Sequence, residues 1–245
     1  MADSLATNGW SGNGGSGTRV TVIRHHDEDS PGFIAEAFAA RGARVSEHLF
    51  PGGGALPALD GADHIVVLGA IPSVYDDGPH RRWIEQELAW LRRAHETGLP
   101  VLGICFGAQA LCMMLGGRVE AAGRKEIGWR MVESHDPAQV PAGPWLQFHG
   151  DRCLPPPEAT ILASNEVGVQ AFSVGRHLAV QFHPEVDGAQ LGGWLAAGGR
   201  DEAASAGTDP DAFLARTVAE EPAAKVRADL LVGTALRLAA SAAAT

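Results

Sequence analysis

The feature that most constrains this 245-residue chain is a cysteine held between two glycines, Gly103-Ile104-Cys105-Phe106-Gly107. An apolar run, 101–104, leads in, and a helix-compatible run, 108–115, leads out. A strand that turns this sharply into a helix leaves no room for side chains two places either side of the turn, and glycine meets that demand at both. The turn sets the Cys105 thiol at the first turn of a helix, where the positive end of the macrodipole favours a thiolate. It also aims the backbone N–H of Phe106 at charge building on an attacked carbonyl. Such a unit belongs in an α/β sheet, with chemistry at the carboxyl end of the strand.

The surrounding pattern agrees. Strands are expected at Val20–Arg24, Ala43–His48, His64–Leu68 and Val101–Ile104. Between them lie a helix at Pro31–Arg41, with Phe33, Ala37 and Phe38 on one face, and a longer one at Pro79–Glu96. In the second, Ile84, Leu88 and Leu91 follow the helical period, and Gly98-Leu99-Pro100 stops it. After the elbow the chain changes character, with short strands expected at 127–133, 145–148, 160–163, 169–172 and 178–182. Helices are expected at 188–196, 210–219 and 222–240. The expected fold is α/β: a doubly wound, mostly parallel sheet with helices on both faces and a small antiparallel or mixed extension. Residues 1–17, rich in Gly, Ser and Asn, read as a disordered tail with almost nothing to bury, and 18–242 as a single domain.

Composition narrows the function classes. The net charge is −10 and no basic stripe stands out, which argues against a nucleic-acid partner. Arg81-Arg82 and Arg92-Arg93 read as a solvated helix face. No apolar stretch approaches the roughly 18 residues of a spanning helix, so no membrane partner is expected. The N-terminus lacks a signal-peptide pattern. Three cysteines, Cys105, Cys112 and Cys153, make no even framework, which points to a reducing, cytoplasmic setting. Cys112 reads as core, and Cys153, just before Pro155-Pro156-Pro157, as structural. His25, His26, Asp27, Glu28 and Asp29 invite a metal reading, but no second cluster has ligand spacing, so they are read as a solvated loop near the cleft, with no metal. Ser46, Ser73 and Ser164 lack an elbow context. Trp83 and Trp90 read as core or as a partner-facing stripe.

A thiol nucleophile needs a base, and an imidazole base needs an acceptor to orient it. Residues 177–185 supply both: a buried-strand candidate, Leu178–Phe182, ends at His183, Pro184 locks the chain, and Glu185 lies on the same side of an extended segment as His183. Cys105, His183 and Glu185 are the expected triad. The plainer alternative for His183 and Glu185 is a capped turn with an incidental ion pair.

With Gly103–Gln109 and Gln181–Glu185 in view, the chain resembles the class I (triad-type) glutamine amidotransferases over about residues 19–190, in a free-standing glutaminase-type form. Val67-Leu68-Gly69-Ala70 with Ser73-Val74-Tyr75-Asp76 looks like that family's oxyanion loop. Glu126-Ile127-Gly128-Trp129 and His149-Gly150-Asp151 look like further signatures. The resemblance implies glutamine as substrate, glutamate and ammonia as products, a separate synthase as partner, and no cofactor. It implies substrate contacts at Gly69, Gln109, His149, Gly150 and Asp151, with oxyanion donors from Phe106 and the Gly69–Ala70 loop. Two departures stand out. Ala70, followed by Ile71-Pro72, replaces a second glycine and shifts the proline, and Phe148 occupies a place that is often polar in relatives. These departures suggest a larger γ-glutamyl amide or peptide as an alternative substrate. A degenerate binding subunit is the non-enzymatic alternative, against which the intact triad argues.

Overall fold

The computed structural model describes residues 17–241, so the tail expected at 1–17 lies outside the described residues except for Gly17. The core is one nine-stranded sheet in the order β2-β1-β3-β4-β9-β8-β6-β5-β7. Its parallel half comprises β1 (Arg19–Arg24), β2 (Arg44–Leu49), β3 (His64–Val67), β4 (Val101–Ile104) and β9 (His177–Val180). Its antiparallel half comprises β5 (Arg118–Ser134), β6 (Gly143–Leu154), β7 (Thr160–Ser164) and β8 (Val169–Val174). Strand β9 joins the two halves, parallel to β4 on one side and antiparallel to β8 on the other.

Side-chain alternation along the strands builds two apolar layers. Val20 and Val22 of β1, with Leu102 and Ile104 of β4, pack under α1 (Gly32–Ala39), α4 (Gly188–Trp194) and α6 (Pro210–Ser241). Ile23, Ile65, Val67 and Val101 face α2 (Arg81–Glu96) and α3 (Phe106–Met114) on the other side. Trp83 and Trp90 are both buried in this second layer, which decides for core over a partner-facing stripe. Arg81, Arg82, Arg92 and Arg93 are exposed, as expected of a solvated face.

Three local readings are corrected. The separate helices expected at 210–219 and 222–240 form one helix, α6, with Pro222 inside it. Burial of Phe213, Thr217, Ala224, Ala228, Leu231, Val232 and Ala235 along α6 outweighs the hydrogen bond that proline removes. A helix that was not expected, α5 (Arg200–Ser205), follows a π-helical segment, Leu195–Gly199, in which Gly198 takes φ +116°. The β5 strand begins well before residue 127, because its first part, Arg118–Ala121, pairs with Asp151–Leu154 across a register shift.

Candidate active site

The elbow forms as its residue types require. Cys105 has φ 52° and ψ −106°, a left-handed conformation that costs a non-glycine residue about 1–3 kcal/mol. A Cβ at Gly103 would lie 2.4 Å from the Gly107 carbonyl oxygen, and one at Gly107 would lie 2.2 Å from the Val67 carbonyl oxygen. Both glycines are therefore demanded by close backbone approach. The Cys105 N–H donates to the Val180 carbonyl (2.9 Å) and the Gly107 N–H to Leu68 (3.2 Å), fixing the turn to β9 and β3. Phe106 opens α3, and among the described residues its N–H has no acceptor.

His183 and Glu185 follow β9, the strand beside β4, so topology brings them to the same end of the sheet as Cys105. His183 Nδ1 lies 2.7 Å from Glu185 Oε1, with both side chains buried. Among the described residues His183 Nε2 has no hydrogen-bond partner. Gly69 measures how close the groups are: a Cβ there would sit 3.1 Å from His183 Cε1 and 4.0 Å from Cys105 Sγ. Burial works against charge on the His183 ring, but the Glu185 carboxylate and the Cys105 sulfur outweigh it, and the imidazole pKa is raised well above its ordinary value. Gly32, at φ +35°, lets the start of α1 approach the Glu185 backbone, where a Cβ would lie 2.0 Å from the Glu185 carbonyl oxygen. The Phe33 N–H donates to that same oxygen.

The other expected site residues divide. Gly69 lies beside Cys105, where a Cβ would sit 3.7 Å from the Cys105 Cβ, and Ala70 follows it in the same loop. Gln109 is buried one turn into α3, with its amide 3.4 Å from Gln181 Oε1. Both carboxylate oxygens of Asp151 accept hydroxyls from the loop opposite, Ser73 Oγ at 2.6 Å and Tyr75 Oη at 2.7 Å. His149 is committed inside the protein: Nδ1 to the Asp151 carbonyl (2.9 Å), and Nε2 to Gln147 Oε1 (3.0 Å) and Glu126 (3.3 Å). Asn165 and Gln170 complete that buried network around Glu126. Burial disfavours the Glu126 charge, yet the hydrogen bonds from His149, Asn165 and Gln170 hold its pKa below the usual value. Gly150 lies between these two anchored residues, with its Cα facing Lys125.

Phe148 stands edge-on to Trp194, with ring centres 5.8 Å apart, and Trp194 stands edge-on to His183 at 5.0 Å. Trp194 was not singled out from the sequence. Its Nε1–H donates to Asp29 (3.2 Å), which also accepts from the His26 N–H. The solvated-loop reading of 25–29 is corrected at its first residue. The His25 side chain is only 3% exposed and is bonded to Gly69 and Glu87. It stands at the end of a buried strand, and Glu87 stands among Ile84, Leu88 and Leu91 on the core face of α2, two signals that the sequence does carry. Cys112 is a buried free thiol in the core, as read, and Cys153 is likewise free and buried. Among the described residues no cluster of His, Cys, Asp or Glu suits a metal, and no helix is long and apolar enough to cross a membrane.

Comparison with known proteins follows the same lines. The family model "Glutamine amidotransferase class-I" matches residues 34–196. The GMP synthase (glutamine-hydrolyzing) of Bartonella quintana is 32% identical over 179 residues, covering 60% of this chain and 33% of that protein. Its counterpart in Thermus thermophilus is 40% identical over 106 residues, 38% of this chain and 20% of that one. The chain thus spans a third or less of the length of these relatives. A glutamine amidotransferase of known structure from Thermotoga maritima superposes with a TM-score of 0.80 at 27% identity, covering 91% of this chain and 99% of that one. One from Methylobacillus flagellatus gives 0.81 at 21% identity over 91% and 96%, a likeness of fold.

Proposed function

Since this chain belongs to the class-I glutamine amidotransferase family, we propose that it hydrolyses the side-chain amide of glutamine through a thioester on Cys105 and releases ammonia for an acceptor enzyme. One observation carries this reading: a strained, glycine-flanked Cys105 shares the space beside Gly69 with an imidazole whose far nitrogen is held by a buried carboxylate.

The Cys105 proton passes to His183 Nε2, and the sulfur attacks the amide carbon. The carbonyl electron pair moves onto oxygen, where the N–H groups of Phe106 and Ala70 receive it; each such donor contributes about 3 kcal/mol to lowering the barrier. His183 returns the proton to the leaving nitrogen as the carbon–nitrogen bond breaks, giving ammonia and the thioester. Water then loses a proton to His183, attacks the thioester carbon and expels the sulfur, leaving glutamate. Glu185 holds the ring in the tautomer that keeps Nε2 available and stabilises the imidazolium between these transfers. Gln109, Gly150 and Asp151 are the proposed contacts to the rest of the substrate. His149 acts through the Asp151 backbone. Free, buried cysteines suit a cytoplasmic setting.

A second reading has its own support. The Phe148–Trp194 pair forms an aromatic wall beside His183, and Ile71 in the loop after Gly69 is 89% exposed. Both favour a γ-glutamyl amide with a larger leaving group, cut by the same triad with water as the acceptor. A panel of glutamine, γ-glutamyl amines and γ-glutamyl peptides at equal concentration separates the two. Highest kcat/KM on glutamine supports ammonia supply, and highest kcat/KM on a substituted amide supports the second reading. No turnover of any member, with Cys105 inert to a γ-glutamyl electrophile, removes both.

A further inference from the structure

At the end of β1 the His25 ring is enclosed between the loop after β3 and helix α2. Its Nδ1 lies 2.7 Å from the Gly69 carbonyl oxygen, and its Nε2 lies 2.9 Å from Oε2 of Glu87, a side chain with no solvent exposure. Trp83 and Phe106 flank the ring, and Asp29 is the other charged group close by. A carbonyl and a carboxylate are both acceptors, so satisfying both requires an N–H on each ring nitrogen. The geometry suits an imidazolium, whose charge the carboxylate beside it would match. The balance of forces agrees: burial opposes the charge, and Glu87 and the Gly69 carbonyl outweigh it, raising the pKa.

A trans peptide sends its C=O and its N–H to opposite sides of one rigid plane. Holding the Gly69 oxygen therefore fixes the direction of the Ala70 N–H, which has no acceptor among the described residues. Gly69 is also the residue whose Cα faces Cys105 Sγ and the His183 ring. A rotation of this peptide would swing the N–H away and present a carbonyl oxygen in its place, repelling a developing oxyanion.

We infer that His25, gripped by Glu87, is a positioning residue that locks the Gly69–Ala70 peptide so that the Ala70 N–H meets the oxyanion formed at Cys105. The inference rests on the amide-hydrolase reading above. His25 touches neither sulfur nor substrate; it acts through one peptide plane. Its loss should therefore slow steps that build charge on a carbonyl oxygen and spare steps that do not.

Alkylation of Cys105 by iodoacetamide is a step of the second kind, since displacement at carbon forms no oxyanion. The variant of choice is His25→Leu with Glu87→Met, because replacing a buried ion pair by apolar groups of similar size commonly preserves folding. His25→Gln, which keeps an amide able to donate to Gly69, is the companion. In the double variant we expect kcat on the best γ-glutamyl substrate to fall about 100-fold, the scale of one lost oxyanion donor. KM should change by less than about threefold, with Cys105 alkylation, followed by peptide mass spectrometry, within about twofold of wild type. His25→Gln should recover at least about tenfold of the loss. Unchanged turnover in the double variant overturns the inference. So does a parallel fall in alkylation, which would place the effect on the nucleophile or on the fold. Failure of the underlying reading is distinguishable, because it appears in the wild type as alkylation without hydrolysis of any γ-glutamyl amide.

Discussion

Two histidines far from the elbow give this fold a calculable sensitivity to acid. His64, in β3, is 1% exposed, with one ring nitrogen near the Ile65 carbonyl. His177, in β9, is 4% exposed, and its Nε2 lies 2.8 Å from Nδ1 of His95. Burial lowers both pKa values from 6.5 to about 4, and for His177 the neighbouring His95, His64 and Arg176 push the same way. A folded-state pKa below the unfolded one means that the unfolded chain takes up protons first as the pH falls. The stability these rings confer is thus full above about pH 6.5 and is lost as the pH drops toward 4. Linkage gives a loss of about 2 kcal/mol per histidine between about pH 7.5 and pH 5, or about 4 kcal/mol for the pair. His25 and His183, with raised values, work in the opposite sense: their contribution is full below the unfolded pKa and lost as pH rises. The informative quantity is therefore a difference. Urea unfolding of wild type and of His64→Phe/His177→Phe, each at both pH values, should show wild type losing about 4 kcal/mol more than the variant on acidification. Equal pH dependence in the two proteins would refute the reasoning.

Further outcomes follow from the site. Glu185→Gln should keep the fold but lower kcat by a factor on the order of 10³ or more, because an amide can turn its N–H toward Nδ1, favouring the wrong tautomer, and brings no charge to stabilise the imidazolium; steady-state kinetics and far-UV circular dichroism check the two halves. Gly107→Ala, whose Cβ would lie 2.2 Å from the Val67 carbonyl oxygen, should destabilise the protein by about 2 kcal/mol or more and abolish Cys105 alkylation; both vanish as predictions if the variant melts and reacts like wild type. Tyr75→Phe removes one of two hydroxyls holding Asp151, so KM should rise by about threefold to tenfold with Cys105 alkylation unchanged, and an unaltered KM would detach Asp151 from substrate binding. Glu126→Ala leaves His149, Asn165 and Gln170 without their shared acceptor and should cost about 3 kcal/mol, read by thermal or urea unfolding.

The parallel half of the fold was legible because local rules govern it. Val101–Ile104 is apolar throughout, and the two glycines beside Cys105 are demanded by backbone contacts within a few residues and at the adjacent β3 strand. His183 and Glu185 could be paired from their spacing of two, and their side chains do meet, although the chain bends there after β9 ends at Val180. What the sequence concealed depends on packing between distant segments. Pro222 argues for a helix break, yet the buried face of α6 carries the helix through it. His25 and Glu87 lie 62 positions apart, and each alone reads as an ordinary polar residue. The hint was a carboxylate on the apolar face of α2, which must find a buried partner, and a histidine at a strand end where such a partner could stand. Trp194 lies beside His183 only because the chain after β9 folds back over the site, and no local pattern announces that.

The central claim is a covalent intermediate at one sulfur. Rapid acid quench of the protein during turnover of its best γ-glutamyl substrate, followed by intact-mass and peptide mass spectrometry, tests it directly. The account predicts a γ-glutamyl adduct on the peptide bearing Cys105, and loss of both adduct and turnover in Cys105→Ala. Turnover that persists in Cys105→Ala, or an adduct on Cys112 or Cys153 in its place, would contradict it.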